Sequence, residues 1–585
     1  MLSTVHDIIV RSGTVIDGTG APGRRADVAI SGGVIVAIGE NLGSAQRVID
    51  AEGALVTPGF VDIHSHYDGQ ATWDAELMPS SIHGATTVAR GSCGVGFAPC
   101  RAEDRERLIA LMEGVEDIPG TALAEGLRWE WESFGEYMAS LDRWPHAIDL
   151  ACHVPHDAVR VFVMGERALA GETATEAEIA AMGVLVRQAI EGGAVGFSTG
   201  RSDNHRNADG RPTPAADASA RELDGIARAL AGIDRGVLQA VSDFDMFVSP
   251  DRFDPEFDLL EDMARISGRP LSISLLQRVG ATEQWKKIFG RIERANTAGR
   301  TLRAQVATRG IGVILGLEAT FHPFIGFPTY KALAHLPLAE RVRELAKPEV
   351  KAKILGETSD KVAGDGSAVP PLVDKLLAAF DMVAMSLFRL AERPDYEPAR
   401  ADSLFGEAMR AGKKALEVAY DALLEDGGHQ LLYFPIYNYA AGSLAEVGEM
   451  LRHPHALLGL GDGGAHVGTI CDASFSTFFL THWVRDRGAF TIEQAIHKLT
   501  GEPAAWLGLR DRGVIREGLR ADLDVIDLPA LSLERPKLVR DLPAGGKRFL
   551  QRATGYRATL CRGEVIAENG VVTDARPGRI ARPLA

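Results

Sequence analysis

Apolar positions follow two rhythms along this chain. Near the N-terminus they alternate with polar residues in short runs, Asp7–Val10, Gly13–Ile16, Asp27–Ile30 and Val34–Ile38, parted by Gly-rich turns such as Asp17–Gly20. A period of two between turn residues predicts short antiparallel strands. The same texture returns over Ala521–Asp527, Tyr556–Leu560 and Glu564–Ala567. Residues 1–57 and 507–585 are therefore expected to build one small β-sandwich from both ends of the chain.

Between those ends, over 58–506, strand-like apolar runs alternate with helical stretches, the pattern of a parallel-sheet α/β protein. The candidate strands are Gly59–His66, Thr86–Cys93, Ala147–Val154, Ala194–Thr199, Gly236–Val241, Pro270–Leu276, Thr301–Ala307 and Leu457–Asp462. Eight strands with helices between them predict a TIM-like (β/α)8 barrel, whose active site lies at the C-terminal strand ends. In a closed ring, strands eight, one and two are neighbours, so their ends meet. Residues from about 330 to 440 interrupt the alternation. Leu338–Leu345 and Gly412–Ala419, rich in Ala, Leu, Glu and Lys or Arg, favour helix, whereas Gly356–Pro371 reads as a loop. The stretch is expected to be a helical insertion over the barrel mouth.

Strand one ends in His64-Ser65-His66. In an extended strand, residues i and i+2 share a face, so the two imidazoles project together, as two ligands of one metal would. Asp462 lies in Gly461-Asp-Gly-Gly464 at the end of strand eight, and Cys93 at the end of strand two. Each has a plainer reading: an exposed His pair, an Asp-Gly turn, a small buried thiol. Their shared location at adjacent strand ends favours a metal site, with Asp462 both ligand and catalytic group.

Composition narrows the partners. Hydrophobic residues make 46% and charged residues 24% of the 585, ordinary for a globular protein. The net charge of −16, from 63 Lys and Arg against 79 Asp and Glu, argues against a nucleic-acid partner. No apolar run approaches the roughly 20 residues of a membrane span, and no signal peptide is evident at the N-terminus. Five scattered cysteines do not form a disulfide framework, so a cytoplasmic setting is expected.

Several segments together resemble the amidohydrolase superfamily, and within it the N-acyl-D-amino-acid deacylase (D-aminoacylase) group. They are Pro58–His66, Gly84–Val88 with Gly91–Gly94, Gly192–Gly200, Gly459–His466, Leu499–Ala504, Leu507–Leu509, Asp511–Ile515 and Ala521–Leu523. The resemblance covers both ends and most of the barrel, and is weakest over 330–430. It implies two adjacent metal positions. One uses the His pair and the strand-eight Asp with the strand-two Cys close by; the other shares that Cys with histidines from strands five and six. The first set is present as His64, His66, Asp462 and Cys93. The second is not: alignment puts Val241 and Leu275 at its histidine positions, and Gln277 where the family has a lysine. Three outcomes stay open: a single metal, a second position served by another pocket residue, or a metal-free binding pocket. Survival of the first set together favours the single metal.

Zinc suits N, S and O donors with one position left for water, so one zinc or other divalent ion per chain is expected. The implied reaction is hydrolysis of a C–N amide bond by metal-activated water, with Asp462 as general base and then general acid. The substrate would be a small-molecule amide, with His156, Arg201 and His466 as candidate substrate contacts. Rival readings are an amidohydrolase of another amide, imide, urea or carbamate, and a metal-free ligand-binding barrel. A homo-oligomer is compatible with the sequence.

Overall fold

A computed structural model describes residues 5–244, 249–363 and 372–584 of the chain. Its centre is an eight-stranded sheet of β1 (Phe60–Asp62), β2 (Ala85–Arg90), β3 (Asp149–Pro155), β4 (Gly196–Arg201), β5 (Val237–Ser242), β6 (Leu271–Leu275), β7 (Leu302–Val306) and β8 (Ala456–Leu458). Successive strands pair in parallel throughout. Beyond the regular strands, Ser65 bridges Gly463 in parallel and closes the ring. There the His66 N–H donates to the Gly463 carbonyl at 2.7 Å, and the Asp462 N–H to the His64 carbonyl at 3.1 Å. The (β/α)8 barrel expected from the sequence is present, and its closure uses the backbone of the residues expected to carry the chemistry.

Both faces of these strands are buried, which is why they read as continuous apolar runs rather than alternating ones. Val61, Ala89, Ala151, Val195, Val237 and Leu457 pack inside the barrel. The alternate positions, such as Val88, Leu150, Leu238, Ile273 and Ala304, pack in the main core with residues of the surrounding helices. The period of two corrects one alignment. Leu275 belongs to the outer set with Leu271 and Ile273, whereas Ser274 and Leu276 line the pocket. The end of β6 thus turns Ser274 and Leu276 inward, and the absence of an inward histidine stands.

Strands from both chain ends join in a nine-stranded sheet. Its seam is Leu55–Pro58, which pairs in parallel with Val5–Val15 and antiparallel with Leu523–Ile526. Ile8, Val28 and Ile30 from one half share a core with Leu523, Leu560 and Val565 from the other, so the sheet folds over on itself as a sandwich. The last residues leave that sheet: Ile580 bridges Leu150, and Ala581 joins the core inside the barrel. Asp149, at the start of β3, ties the two parts together. It accepts from Arg512 at 2.7 Å and from Arg520, and lies 3.4 Å from Arg562, all three from the C-terminal segment.

The insertion differs in part from its composition. Helix Leu338–Leu345 forms where expected, but of Gly412–Ala419 only the part from Ala415 is helical, in Ala415–Leu424, because Gly412 ends the preceding helix Leu404–Ala411 at φ 63°. The insertion also holds a three-stranded antiparallel sheet, with Leu432–Tyr437 paired to Ile311–Leu315 on one side and Phe388–Arg389 on the other. The insertion therefore begins directly after β7 rather than near residue 330. Phe324, Phe327, Leu345, Ile354, Tyr420 and Leu423 give it a core of its own. The loop expected over Gly356–Pro371 lies partly outside the described residues. Among the described residues, no helix is long and apolar enough to cross a membrane.

Candidate active site

His64 and His66 follow β1 and face the same space, with ring centroids 5.4 Å apart. After β2 the chain turns sharply at Gly91, where φ is +76° and a Cβ would lie 2.5 Å from the His153 carbonyl oxygen. Only glycine fits such a position. Cys93 itself is left-handed at φ 56°, a costly backbone state for a residue with a side chain. Its N–H donates to Gln239 Oε1 of β5 at 2.7 Å, and the Gly94 N–H donates to Ser198 Oγ of β4 at 3.1 Å. These bonds hold the strained turn so that Sγ lies 3.2 Å from His64 Nε2. Asp462 is also left-handed, at φ 48°. Its Oδ1 lies 3.3 Å from His64 Nε2 and 3.7 Å from His66 Nε2.

The far side of each ring is fixed too. Gln305 of β7 donates through Nε2 to Ser272 Oγ at 3.0 Å, which turns its Oε1 towards His64 Nδ1 at 2.6 Å. His66 Nδ1 faces Glu116 Oε1 at 3.0 Å. With both Nδ1 atoms engaged by oxygen acceptors, both Nε2 atoms point at Cys93 and Asp462. One ligating atom from each of His64, His66 and Cys93 lies within 4.8 Å of the others.

The electrostatics match a cation-binding centre. Burial disfavours a charged imidazole, yet the negative charges of Cys93 and Asp462 push His64 up to about 9. Glu116 and Asp462 likewise raise His66. Burial would raise the Cys93 thiol, but the two histidines hold it below its ordinary value, the condition for a thiolate ligand. Asp462, against burial, is held well below the usual carboxylate range by His66 and His64. A donor set rich enough in negative charge to draw protons onto two buried imidazoles fits a divalent metal.

The cluster opens into a pocket of about 240 Å³ between the strand ends and the insertion. Glu116, Asp117, Asp243 and Arg278 line it, as do His205 and His466. Burial depresses His205 to about 4, so it is neutral near pH 7. Of the expected substrate contacts, His466 faces the pocket, with Nε2 3.9 Å from Glu116 Oε2. His156 and Arg201 do not line it. His156 is held between Thr199 Oγ1 and Glu222 Oε1, each at 2.9 Å. Arg201 is held by Glu256 at 2.5 Å and the Ala218 carbonyl at 2.8 Å. Gln277 turns to the insertion, where its Oε1 accepts from the Ala440 N–H at 3.2 Å and its backbone N–H donates to Asn438 Oδ1 at 2.8 Å. Val241 does line the pocket.

The sequence reading missed Glu116, His205, Gln239, Gln305 and the Asp243–Arg278 pair. Gln239 and Gln305 were discoverable as polar residues inside otherwise apolar strands. Glu116 ends an ordinary helix, Arg105–Glu116, with no local signal.

The profile described as Amidohydrolase family matches residues 47–567. The chain belongs to the amidohydrolase family. As such it is a metal-dependent hydrolase acting on carbon–nitrogen bonds of amide type. This amidohydrolase is 27% identical to a D-aminoacylase of Alcaligenes xylosoxydans xylosoxydans, over 99% of this chain and 98% of the relative. It is 26% identical to an N-acyl-D-aspartate deacylase of the same organism, over 99% and 95% of the two chains. Its fold is similar to a solved N-acyl-D-glutamate deacylase from Bordetella bronchiseptica, at a TM-score of 0.65 and 24% identity, covering 99% of this chain and 100% of the other.

Proposed function

We propose that this amidohydrolase uses one zinc ion, held by His64, His66 and Cys93, to hydrolyse a linear amide, with Asp462, expected from the sequence as a ligand as well, beside the ion as the proton carrier. The observation that carries the reading is the convergence of one ligating atom each from His64, His66 and Cys93 within 4.8 Å, with Asp462 Oδ1 3.3 Å from His64 Nε2. The names of the relatives, D-aminoacylase and N-acyl-D-aspartate deacylase, and the zinc of the structurally similar N-acyl-D-glutamate deacylase support it. A second metal finds no support at the inward ends of β5 and β6, where Val241, Ser274 and Leu276 line the pocket.

When bound, zinc supplies Lewis acidity, which makes water more acidic and polarises a carbonyl. The chain's own residues do the rest. Gln305 and Glu116 hold the two imidazoles with Nε2 forward. Asp462 takes a proton from the attacking water and returns it to the leaving nitrogen, which is too poor a leaving group to depart as an anion. His466 and neutral His205 border the place where the amide would lie.

All five cysteines are buried and free, which supports a reducing, cytoplasmic setting. The test is reconstitution of the full chain with zinc, followed by metal analysis and assay on N-acyl amides. One equivalent of zinc and turnover that Asp462→Asn removes are expected; a fully loaded protein that cleaves none of these amides refutes the reading.

A further inference from the structure

The wall that the insertion adds to the pocket is apolar. Leu376 and Leu377 of helix Leu372–Ala378, Phe380 and Val383 of helix Phe380–Ala384, and Phe434 and Ile436 of strand Leu432–Tyr437 all line it. The volume of about 240 Å³ exceeds the ~150 Å³ of an apolar cavity known to take a benzene ring.

The charges in the same pocket point the same way. Among the described residues, Arg278 is the one arginine or lysine lining it, beside the carboxylates of Glu116, Asp117, Asp243 and Asp462. Its guanidinium is engaged by Asp243 Oδ1 at 2.6 Å and by the Ser242 carbonyl at 3.3 Å, and lies 5.4 Å from the centre of the Tyr437 ring. The residues outside the described set (1–4, 245–248, 364–371 and 585) contain no Lys, Arg or His. A substrate carboxylate entering this pocket would meet the carboxylates of Asp117, of Glu116 beside His66 and of Asp462 beside His64, and a cation already paired with Asp243. Burying a charge without a partner is strongly unfavourable, and carboxylates are ordinarily held by an available arginine fork.

We propose that the substrate is an uncharged amide bearing a bulky apolar group, an alkyl chain or an aromatic ring, and that a free carboxylate beside the scissile nitrogen is selected against. The proposal rests on the hydrolase reading above and narrows it. Leu376, Phe380 and Phe434 receive the apolar group, and the Asp243–Arg278 pair removes the cation that a carboxylate would need.

The test compares probes that differ in one feature. N-decanoylphenethylamine and N-decanoylphenylalanine, the latter as both D and L forms, differ only by the carboxylate. The neutral amide should have a kcat/KM at least about tenfold higher, a difference near 1.4 kcal/mol; preference for either acid, or parity, overturns the proposal. Calorimetric binding of the same probes to the full chain should show the same order. If none is cleaved but the binding order holds, the hydrolase reading fails and the ligand class survives. Reversed binding overturns the ligand class itself. N-decanoylmethylamine and N-acetyldecylamine separate the acyl and amine sides: preference for either over N-acetylmethylamine supports the proposal, and preference for neither overturns it. Leu376→Asp should raise KM for N-decanoylphenethylamine by about tenfold, and an unchanged KM counts against the apolar wall. Asp243→Asn should narrow the gap between acid and neutral probes severalfold; an undiminished gap rejects the role of the pair.

Discussion

Glu116 Oε1 lies 3.0 Å from His66 Nδ1, and both side chains are buried. The carboxylate sits at the end of helix Arg105–Glu116, in the connection between β2 and β3, and borders the pocket beside His66. Its negative charge is one cause of the raised pKa of His66, and in a metal complex the same contact strengthens the imidazole as a donor. Glu116→Gln preserves shape and removes the charge. Zinc affinity measured by chelator competition should fall about 10–100-fold, the usual effect of losing such an outer contact. Unchanged affinity would show that the contact is merely structural.

Removing a ligand and removing the proton carrier should separate. His64→Ala should lose zinc, seen by metal analysis. Asp462→Asn should retain most of the metal yet lower kcat by about 10²–10⁴, the range for general acid–base catalysis. Val241→Ala should leave zinc content unchanged, because an apolar side chain donates no electron pair. Loss of metal in that variant would implicate β5 in the coordination.

Asp149 joins barrel and sandwich through Arg512, Arg520 and Arg562. These arginines hold its carboxyl well below the usual carboxylate range against the opposing effect of burial. Asp149→Asn removes the carboxylate that the three arginines share, while Arg512 keeps Asp511 and Arg520 keeps Asp522, so urea denaturation should show a loss of about 1.5–3 kcal/mol, the range for hydrogen bonds to charged groups. A loss under about 1 kcal/mol would mean that solvent replaces the carboxylate.

His83 gives a pH signature. Burial pushes it down to about 4 from 6.5, while Thr477 Oγ1 at 2.8 Å and the Gln551 carbonyl at 3.0 Å flank its ring. Between those values the unfolded chain binds a proton that the folded chain refuses. Its contribution is therefore fully present above about 6.5 and is lost as pH falls towards about 4. Wild type should lose stability relative to His83→Gln across that window in denaturation at several pH values. Parallel curves would refute the assignment.

Much of this molecule is legible locally. Each barrel strand overlaps an expected apolar run, with ends that differ by one to four residues, because a strand buried on both faces must be apolar throughout. His64, His66, Cys93 and Asp462 were visible because each ends such a run beside residues suited to a turn. The insertion sheet was not: Leu432–Tyr437 is a short apolar run among helices, and it becomes a strand only because Ile311–Leu315 and Phe388–Arg389 pair with it from far along the chain. His156 and Arg201 looked like substrate contacts from their place after strand ends, yet Glu222 and Glu256, each from a following helix, engage them away from the pocket.

By itself, then, the sequence determined the strand order, the donor types in the His64, His66, Cys93 and Asp462 cluster and the lack of inward histidines on β5 and β6. Those are matters of residue identity and short-range periodicity. Tertiary structure alone decided that Ser274 and Leu276 rather than Leu275 face inward, that Glu116 and Gln305 orient the imidazoles, and that Asp243 neutralises Arg278. Those depend on distances between side chains from separate elements, and sequence spacing carries no record of such distances.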